Sequence, residues 1–219
     1  MNAVKQLNSE SLIVNTLRSE IEIGVLQPGQ RLLQDELALR FHVSRVPVRD
    51  AIKTLESIGL VTLLPNRTAQ VTCLCAAEVE EIFSIRIMLE CDLIERATAN
   101  AGATDHVRVS EISGMLDKVR TGERFAALDR ELHAALYAPA GLHRQFEIVT
   151  NLGQLLARYY SSALNLKSYH GECQGGHHQI VEAFIQGNSR SAATHLKLHL
   201  QTAQAKILKS FTRKGGHSA

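Results

Sequence analysis

The segment from Ser44 to Gly59 constrains the fold most, because it combines a helix start, an amphipathic helix and a helix stop. Ser44 is a typical N-cap residue, and Gly59 is typical of the position just after a helix. Pro47 falls in the first turn, where its missing N–H costs little. One apolar stripe runs along the helix at helical spacing: Val48, Ala51, Ile52, Leu55 and Ile58. A stripe of this kind must be buried, so the neighbouring segments decide the fold.

Helical patterns precede this segment and a hairpin pattern follows it. Residues 9–24 and 34–41 each place apolar residues on one helical face, and a Gln-Pro-Gly turn lies between them. Two short β-rich runs, 60–64 and 70–74, flank a turn-forming stretch and predict a hairpin. Three helices followed by a hairpin is the order of a winged helix-turn-helix domain, which we place at residues 9–74.

The chain from Ala76 onward shows helical patterns without further β-rich runs. The predicted helices are 76–100, 105–121, 123–137, 142–166, 174–187 and 189–212. Short connections between helices indicate antiparallel packing in a bundle. We therefore predict a mainly α protein with an N-terminal winged helix-turn-helix, a small β-hairpin wing, and a C-terminal all-α antiparallel helix bundle over residues 76–212.

Composition and cysteine usage indicate an ordinary globular protein of a reducing compartment. The chain has 219 residues, of which 45% are hydrophobic and 21% charged. No apolar run has the length of a membrane span, and the N-terminus lacks the charged-then-apolar pattern of a signal peptide. We expect a cytoplasmic protein with no membrane partner. The four cysteines predict buried free thiols, and the Cys73-x-Cys75 pair lacks the second pair that a structural zinc site needs.

Positive charge concentrates on one face of the helix that follows Ser44. Arg45 and Arg49 are four residues apart and share the face opposite the apolar stripe. Arg45 lies in the first turn, where a recognition helix reaches base edges, and a bidentate arginine suits guanine. Ser44 can offer a phosphate its hydroxyl, and Arg67 at the hairpin tip can touch the minor groove or the backbone. Solvated surface charges are the alternative, but the surrounding helices and hairpin favour binding of duplex DNA.

Nine of the ten histidines lie in the helical remainder, and some of them align with an aspartate. Asp129 and His133 are at i and i+4, on one helix face, where they can share a metal ion. His177 and His199 lie in separate predicted helices and have apolar neighbours at helical spacing. Spacing alone leaves two interpretations open: a divalent metal site in the bundle, or buried histidines that are simply hydrogen-bonded.

The N-terminal motifs resemble a known family. The stretches LQPGQRL, LALRFHVSRVPVRDAIKTLESIGLV and NRTAQV resemble the DNA-binding domain of the GntR family over roughly Leu12 to Thr72. The resemblance implies that the first helical residues after the turn and the wing tip contact the operator. The predicted DNA-binding residues are Ser44, Arg45, Val46, Arg49 and Arg67. Three departures bear on operator preference: Asp35 replaces a frequent arginine, Leu33 a polar N-cap, and Thr68 the wing glycine.

The C-terminal motifs resemble the FCD effector domain of the FadR-type subfamily. The matching pieces run from Ile82 to Glu90, from Asp129 to Leu136, from His177 to Ala183, and over His199-Leu200. In metal-binding members, one aspartate and three histidines hold a divalent ion. The implied ligands of zinc, nickel or manganese are Asp129, His133, His177 and His199. His178 and His195 compete for assignment, and His177 is preferred because it places the family's H-x-x-I isoleucine on Ile180.

The resemblance also implies a small-molecule effector and a homodimer. Family effectors are often small organic acids, and a small carboxylate would fill open positions on the ion. Arg86 either approaches such an anion or pairs with Glu90 at i+4, and both remain open. Leu142 stands where members often have an asparagine, which alters the expected pocket. The helical domain is also expected to form a homodimer.

The function implied is a non-enzymatic, DNA-binding transcriptional regulator, foremost a repressor. A homodimer would bind a pseudo-palindromic operator, with an affinity controlled by the organic acid at or near the metal. A metal sensor, with the ion itself as signal, shares every residue with this hypothesis. A metal-dependent hydrolase is a third hypothesis, but the sequence contains no H-E-x-x-H and offers no clear general base beside the ligands.

Overall fold

The computed structural model of the chain describes residues 2–66, 68–119, 122–163 and 166–214. The chain divides into two compact units. The first comprises the residues up to Leu74 together with Gln154–Ser161, and the second comprises Cys75–Gly153 and the residues from Ser162 onward. Helices dominate and a small sheet lies in the first unit, which confirms the predicted fold class. No helix among the described residues is both long and apolar enough to cross a membrane.

Three helices form the core of the first unit. They are α1 (Asn2–Glu22), α2 (Gln34–Arg40) and α3 (Arg45–Ser57). The predicted stripe of α3 is buried from Val48 to Leu55 and packs against apolar residues of α1. The core of this unit contains Ile13, Leu17, Ile21, Leu37, Val48, Ile52 and Leu55. Helix α1 begins well before the predicted residue 9, because the preceding residues contain no glycine or proline.

Tight turns set the ends of α3. His42 adopts a positive φ of 53° in the turn before it, and Gly59 has a φ of 75° after it. The positive φ favours glycine at this position, and a Cβ added there would lie 3.0 Å from Leu155 Cδ2, so the end of that side chain would have to shift. Ser44 occupies the predicted N-cap position, but its side chain makes no capping hydrogen bond. The hydroxyl of Ser44 is therefore not committed to the helix.

The wing is a three-stranded antiparallel sheet in the order β1-β3-β2. Its strands are β1 (Arg31–Leu32), β2 (Val61–Leu63) and β3 (Ala69–Val71). Val61 pairs with Val71, and Arg31 pairs with Gln70 on the other side of β3. The predicted hairpin is thus confirmed, but β3 ends before the predicted residue 74. Strand β1 was not predicted, because a strand of two residues is too short to show an alternation of apolar and polar side chains.

The second unit is helical throughout its described part. Its elements are α4 (Ala76–Asn100), α5 (Ala103–Leu116), α6 (Gly122–Tyr137), a short 3-10 helix (Ala138–Ala140), α7 (His143–Ala163), α8 (Leu166–Ile185) and α9 (Ser189–Lys214). Helix α9 packs on α4 and on α8, and α5 packs on α6. Helix α5 ends before the predicted residue 121, whereas α8 begins earlier than predicted and passes through Gly171. A single glycine costs a helix only about 1 kcal/mol, which the packing of α8 outweighs.

The last part of α7, Gln154–Ser161, clusters with the first unit although the sequence pattern places the whole helix in the C-terminal domain. Tyr159 supplies a reason, because its hydroxyl oxygen accepts a hydrogen bond from the backbone N–H of Leu74 at 2.6 Å. Leu155 contributes as well, because it packs against the apolar core of the first unit. This association depends on tertiary contacts, which a helical period does not encode.

Candidate functional site

The exposed face of α3 carries four of the five predicted DNA-binding residues. Ser44, Arg45, Val46 and Arg49 are all exposed, whereas Val48 on the opposite face is fully buried. The side chains of Arg45 and Arg49 are 72% and 56% exposed. Arg67 lies outside the described residues, so its role at the wing tip stays a prediction. The structure thus brings a cationic pair to the surface at the first two turns of α3.

Acidic side chains accompany both arginines. The guanidinium of Arg45 forms an ion pair with Asp35, which lies in the first turn of α2. Arg49 Nε lies 3.7 Å from Asp50 Oδ1. Exposed ion pairs of this kind contribute about 0–1 kcal/mol, because solvent screens the charges. Either arginine can therefore exchange its carboxylate for a phosphate or a base edge at small cost.

In the second unit, three histidines from three helices converge. His133 of α6, His177 of α8 and His199 of α9 each offer a ring nitrogen, and these nitrogens lie within 4.8 Å of one another. The ring centroids of His177 and His199 are 4.6 Å apart, and that of His133 is 5.3 Å from His177. His177 is 1% exposed. The structure therefore gathers the three predicted histidine ligands into one cluster.

A second group of ligand atoms shares His177 with the first. Asp129 Oδ1 lies 3.1 Å from His177 Nε2, and Cys173 Sγ lies 3.9 Å from the same nitrogen. The four predicted ligands and Cys173 therefore form two overlapping groups, His133–His177–His199 and Asp129–Cys173–His177, joined through His177. The sequence prediction missed Cys173. A signal was present, because Cys173 precedes His177 by one helical turn, just as Asp129 precedes His133.

The charges of this cluster are unevenly distributed. Burial lowers the pKa of His177, but hydrogen bonds with Asp129 and Cys173 and the charge of Asp129 outweigh burial and raise it to about 10. Burial alone would raise the pKa of Asp129, yet the hydrogen bond and charge of His177 bring it below its usual value. Burial and neighbouring histidines lower the pKa of His199 well below its usual value. These shifts favour a proton on His177 beside a charged Asp129 and a neutral His199. A metal ion binds the deprotonated form of a ligand, so metal binding would release that proton.

The donor atoms fit a divalent metal ion. His177 Nδ1 is buried and has no hydrogen-bond partner among the residues that the structure describes. Such an atom costs about 1–3 kcal/mol unless a ligand or partner satisfies it. Three imidazoles with a carboxylate and a thiol nearby suit zinc, nickel and related ions. The cluster therefore has the donor set that the sequence predicts, together with a sulfur.

A hydrogen-bonded chain supports His133 from behind. The Tyr137 hydroxyl donates to Glu90 Oε2 at 2.6 Å, and His133 Nδ1 lies 3.0 Å from the same hydroxyl oxygen. Because the hydroxyl proton goes to the carboxylate, Tyr137 accepts from His133 Nδ1–H, which leaves Nε2 as the free lone pair. Glu90 in turn accepts from Arg86 Nε at 2.7 Å. The Arg86–Glu90 ion pair, one of the two roles that the sequence suggests for Arg86, is thus formed. It links Arg86 to the histidine cluster through Glu90 and Tyr137.

His178 and His195, the two histidines that compete with the predicted ligands, differ in their surroundings. His178 is 55% exposed and lies 2.9 Å from Asp117 Oδ1, outside the cluster. His195 lines a groove of about 310 Å³ between α8 and α9 together with Cys173 and His199.

The expectation of buried thiols is wrong for two of the four cysteines. Cys73 and Cys75 are exposed and Cys91 is half-buried, because the first two lie on either side of buried Leu74 in the extended segment between β3 and α4.

Both parts of the chain match known protein families. Residues 81–202 match the FCD domain, and residues 3–71 match the gntR family of bacterial regulatory proteins. The HTH-type transcriptional regulator McbR of Escherichia coli (strain K12) is 26% identical over 214 residues, which are 94% of this chain and 95% of that protein. Its solved structure has a TM-score of 0.80 at 22% identity, covering 93% of this chain and 98% of that one.

Two further relatives extend the comparison. The solved structure of a GntR regulator from Rhodococcus sp. RHA1 has a TM-score of 0.76 at 26% identity, covering 91% of this chain and 97% of that one. The HTH-type regulator YdhC of Bacillus subtilis (strain 168) is 41% identical over 76 residues, 35% of this chain, and the match spans 34% of that protein. The FCD model covers more than half of the chain and the gntR model covers residues 3–71, so the chain belongs to the gntR family of bacterial regulatory proteins and carries an FCD domain.

Proposed function

We propose that the protein is a homodimeric, DNA-binding transcriptional repressor whose operator affinity is set by a small organic acid bound at or near a divalent metal in the helical domain. The observation that carries this proposal is the convergence of His133, His177 and His199 beside Asp129, in a chain whose other unit exposes Arg45 and Arg49. A metal cluster in one unit and a cationic helix face in the other are the two parts of a ligand-controlled regulator.

The DNA-binding half rests on the exposed face of α3. Arg45 in the first turn would donate two hydrogen bonds to guanine, and Arg49 would reach a base or a phosphate one turn later. Ser44 would offer its uncommitted hydroxyl and the helix N-terminus to a phosphate, and Val46 would contact the groove. Two copies of this face suit two half-sites, which is why we propose a homodimer on a pseudo-palindromic operator.

The effector half rests on the histidine cluster. Asp129, His133, His177 and His199 would hold zinc, nickel or manganese, and the bound ion would supply positive charge and open coordination positions for a carboxylate. Arg86 supports an anion site, because it is only 11% exposed and its charge lowers the pKa of both His133 and His199, which burial already depresses. An arginine held by Glu90 at this place would stabilise an acid ligand from the side.

The switch requires that the effector bind two states of the protein with different affinities. We propose that the acid favours an arrangement of the helical domain in which the two α3 helices no longer meet both half-sites. The family and the relatives are regulatory proteins, which supports a binding role for the metal rather than turnover. If the ion itself were the signal, chelation alone would change operator affinity in the absence of any organic acid.

Substitution of two adjacent histidines, His177 and His178, tests the metal centre. Purified His177→Ala, His178→Ala and wild-type proteins are loaded with zinc, desalted and analysed for metal content. We expect one bound ion per chain in the wild type and in His178→Ala, because His178 is exposed and pairs with Asp117, and a loss of the ion in His177→Ala. Equal metal content in the two variants would remove the cluster from the proposal.

A further inference from the structure

We propose that Cys173 is a metal ligand, so that the ion held by Asp129 and His177 also carries a thiolate sulfur. The centre would then select zinc, cobalt or another ion that accepts sulfur over manganese or magnesium. This inference rests on the metal centre proposed above, and it narrows the choice of ion that the histidines and the carboxylate leave open.

The distances match those of a sulfur-containing site. Cys173 Sγ, Asp129 Oδ1 and a nitrogen of His177 lie within 4.8 Å of one another, with the sulfur 3.9 Å from Nε2. Zinc binds sulfur at about 2.3 Å and imidazole nitrogen at about 2.0–2.1 Å, so angles of about 90–110° between the two bonds separate the donors by roughly 3.1–3.5 Å. A movement of less than about 1 Å would bring Cys173 into coordination.

Helix geometry supports the same assignment. Cys173 and His177 are at i and i+4 on α8, and Asp129 and His133 are at i and i+4 on α6. Residues one turn apart lie on the same helix face, so each helix presents a pair of donors to the same region. The second pair has the spacing of the first, with sulfur in place of a carboxylate oxygen.

The surroundings of the thiol point to a ligand rather than to a packing role. A buried free cysteine usually behaves as a small apolar residue. Cys173 is 4% exposed, but its sulfur faces His177 Nε2, the same nitrogen that faces Asp129 Oδ1 at 3.1 Å. The groove of about 310 Å³ between α8 and α9, which Cys173 lines with His199, gives an ion a route to the sulfur.

A thiolate changes which ions the centre prefers. Carboxylate and water ligands suit manganese and magnesium, whereas thiolates favour zinc and other softer ions. Removing Cys173 should therefore lower zinc affinity more than manganese affinity. We expect the zinc-over-manganese preference, measured by competition, to fall about 10-fold or more in Cys173→Ser, a change of the size that ligand-environment substitutions produce.

Cobalt spectroscopy of the full-length protein tests the sulfur directly. Wild type, Cys173→Ser and the control Cys91→Ser are loaded with Co(II) under reducing conditions. We expect a sulfur-to-cobalt charge-transfer band in the near ultraviolet for wild type and Cys91→Ser. In Cys173→Ser this band should vanish while the visible d–d bands of bound cobalt remain. X-ray absorption of the zinc-loaded wild type should show a sulfur scatterer at about 2.3 Å.

The outcomes separate this inference from the metal centre itself. Cobalt that binds wild type with d–d bands but no charge-transfer band, or zinc with nitrogen and oxygen scatterers alone, overturns the thiolate and leaves the metal centre standing. A band that is lost equally in Cys91→Ser also overturns it. Failure of wild type to bind either ion overturns both. If Cys173→Ser does not fold, Cys173→Ala and the absorption spectrum of the wild type decide the question.

Discussion

Arg45 begins α3 with its guanidinium paired to Asp35, and this pair shows what sequence reasoning can and cannot reach at the scale of single residues. The exposed position of Arg45 follows from the helical period, because the apolar stripe must face the core. The partner does not follow from it, since α2 and α3 approach each other through tertiary packing. In the sequence, Asp35 is recognisable only as a residue that differs from the family pattern, and its pairing with Arg45 is not.

Arg45→Ala should weaken operator binding by about 1–3 kcal/mol, or roughly 5- to 150-fold, because a bidentate contact to a base is lost. The operator is first selected from a random duplex pool, and affinity is then measured by fluorescence anisotropy. Arg144→Ala is the matched control, because Arg144 is a 92% exposed arginine in the other unit, paired with Glu147. Equal losses in both variants would show that α3 does not read the operator.

Asp35→Asn should strengthen DNA binding, because it removes an acid that competes for Arg45 and repels phosphate. The gain should be several-fold at low salt and should shrink as salt rises, since screening weakens both effects. Affinity for operator and for unrelated duplex is measured across a salt series, with Asp117→Asn as a control in the second unit. Unchanged or weaker binding by Asp35→Asn would contradict the role assigned to the ion pair.

At the scale of elements, α8 carries the features that the sequence predicted least well. Its start at Leu166 was missed because glycine usually interrupts a helix, and here packing against α9 outweighs that tendency. The position of His177 could be predicted from its spacing to Ile180 and Phe184. The overlap of two ligand groups at His177 could not, because it depends on how α6, α8 and α9 cross.

Two neighbouring glycines of α8 give a matched test of this packing. A Cβ at Gly176 would lie 3.0 Å from His199 Nδ1, whereas a Cβ at Gly175 would meet nothing within 4 Å. Gly176→Ala should displace the His199 ring and lower zinc affinity about 10-fold or more. Gly175→Ala should leave affinity unchanged and stabilise the helix by about 0.5–1 kcal/mol. Isothermal titration and thermal unfolding measure the two effects, and equal zinc affinity in both variants would place His199 outside the centre.

At the scale of the whole molecule, the chain joins a unit that exposes cations to a unit that gathers metal donors. The order of these units and the mainly helical class could be predicted from the change of period near residue 60 and the return to helices after residue 76. The grouping of Gln154–Ser161 with the first unit could not, because Tyr159 reaches Leu74 across 85 residues of sequence. The sequence also contains no direct signal for the identity of the effector.

The central claim, that a ligand at the metal centre controls DNA binding, predicts coupling between the two units. Coupling free energies in such regulators are typically about 1–3 kcal/mol, or 5- to 150-fold in affinity. Small carboxylates that bind the zinc-loaded protein are first identified by thermal shift. The acid found in this way should weaken operator binding of the wild type within that range.

The most direct measurement titrates operator into full-length wild type and Asp129→Ala, each with and without zinc and the carboxylate. We predict that the acid weakens binding by the wild type only when zinc is present, and that Asp129→Ala binds operator normally but no longer responds. Operator affinity that is identical in all four conditions for the wild type, at saturating acid and metal, would contradict the account.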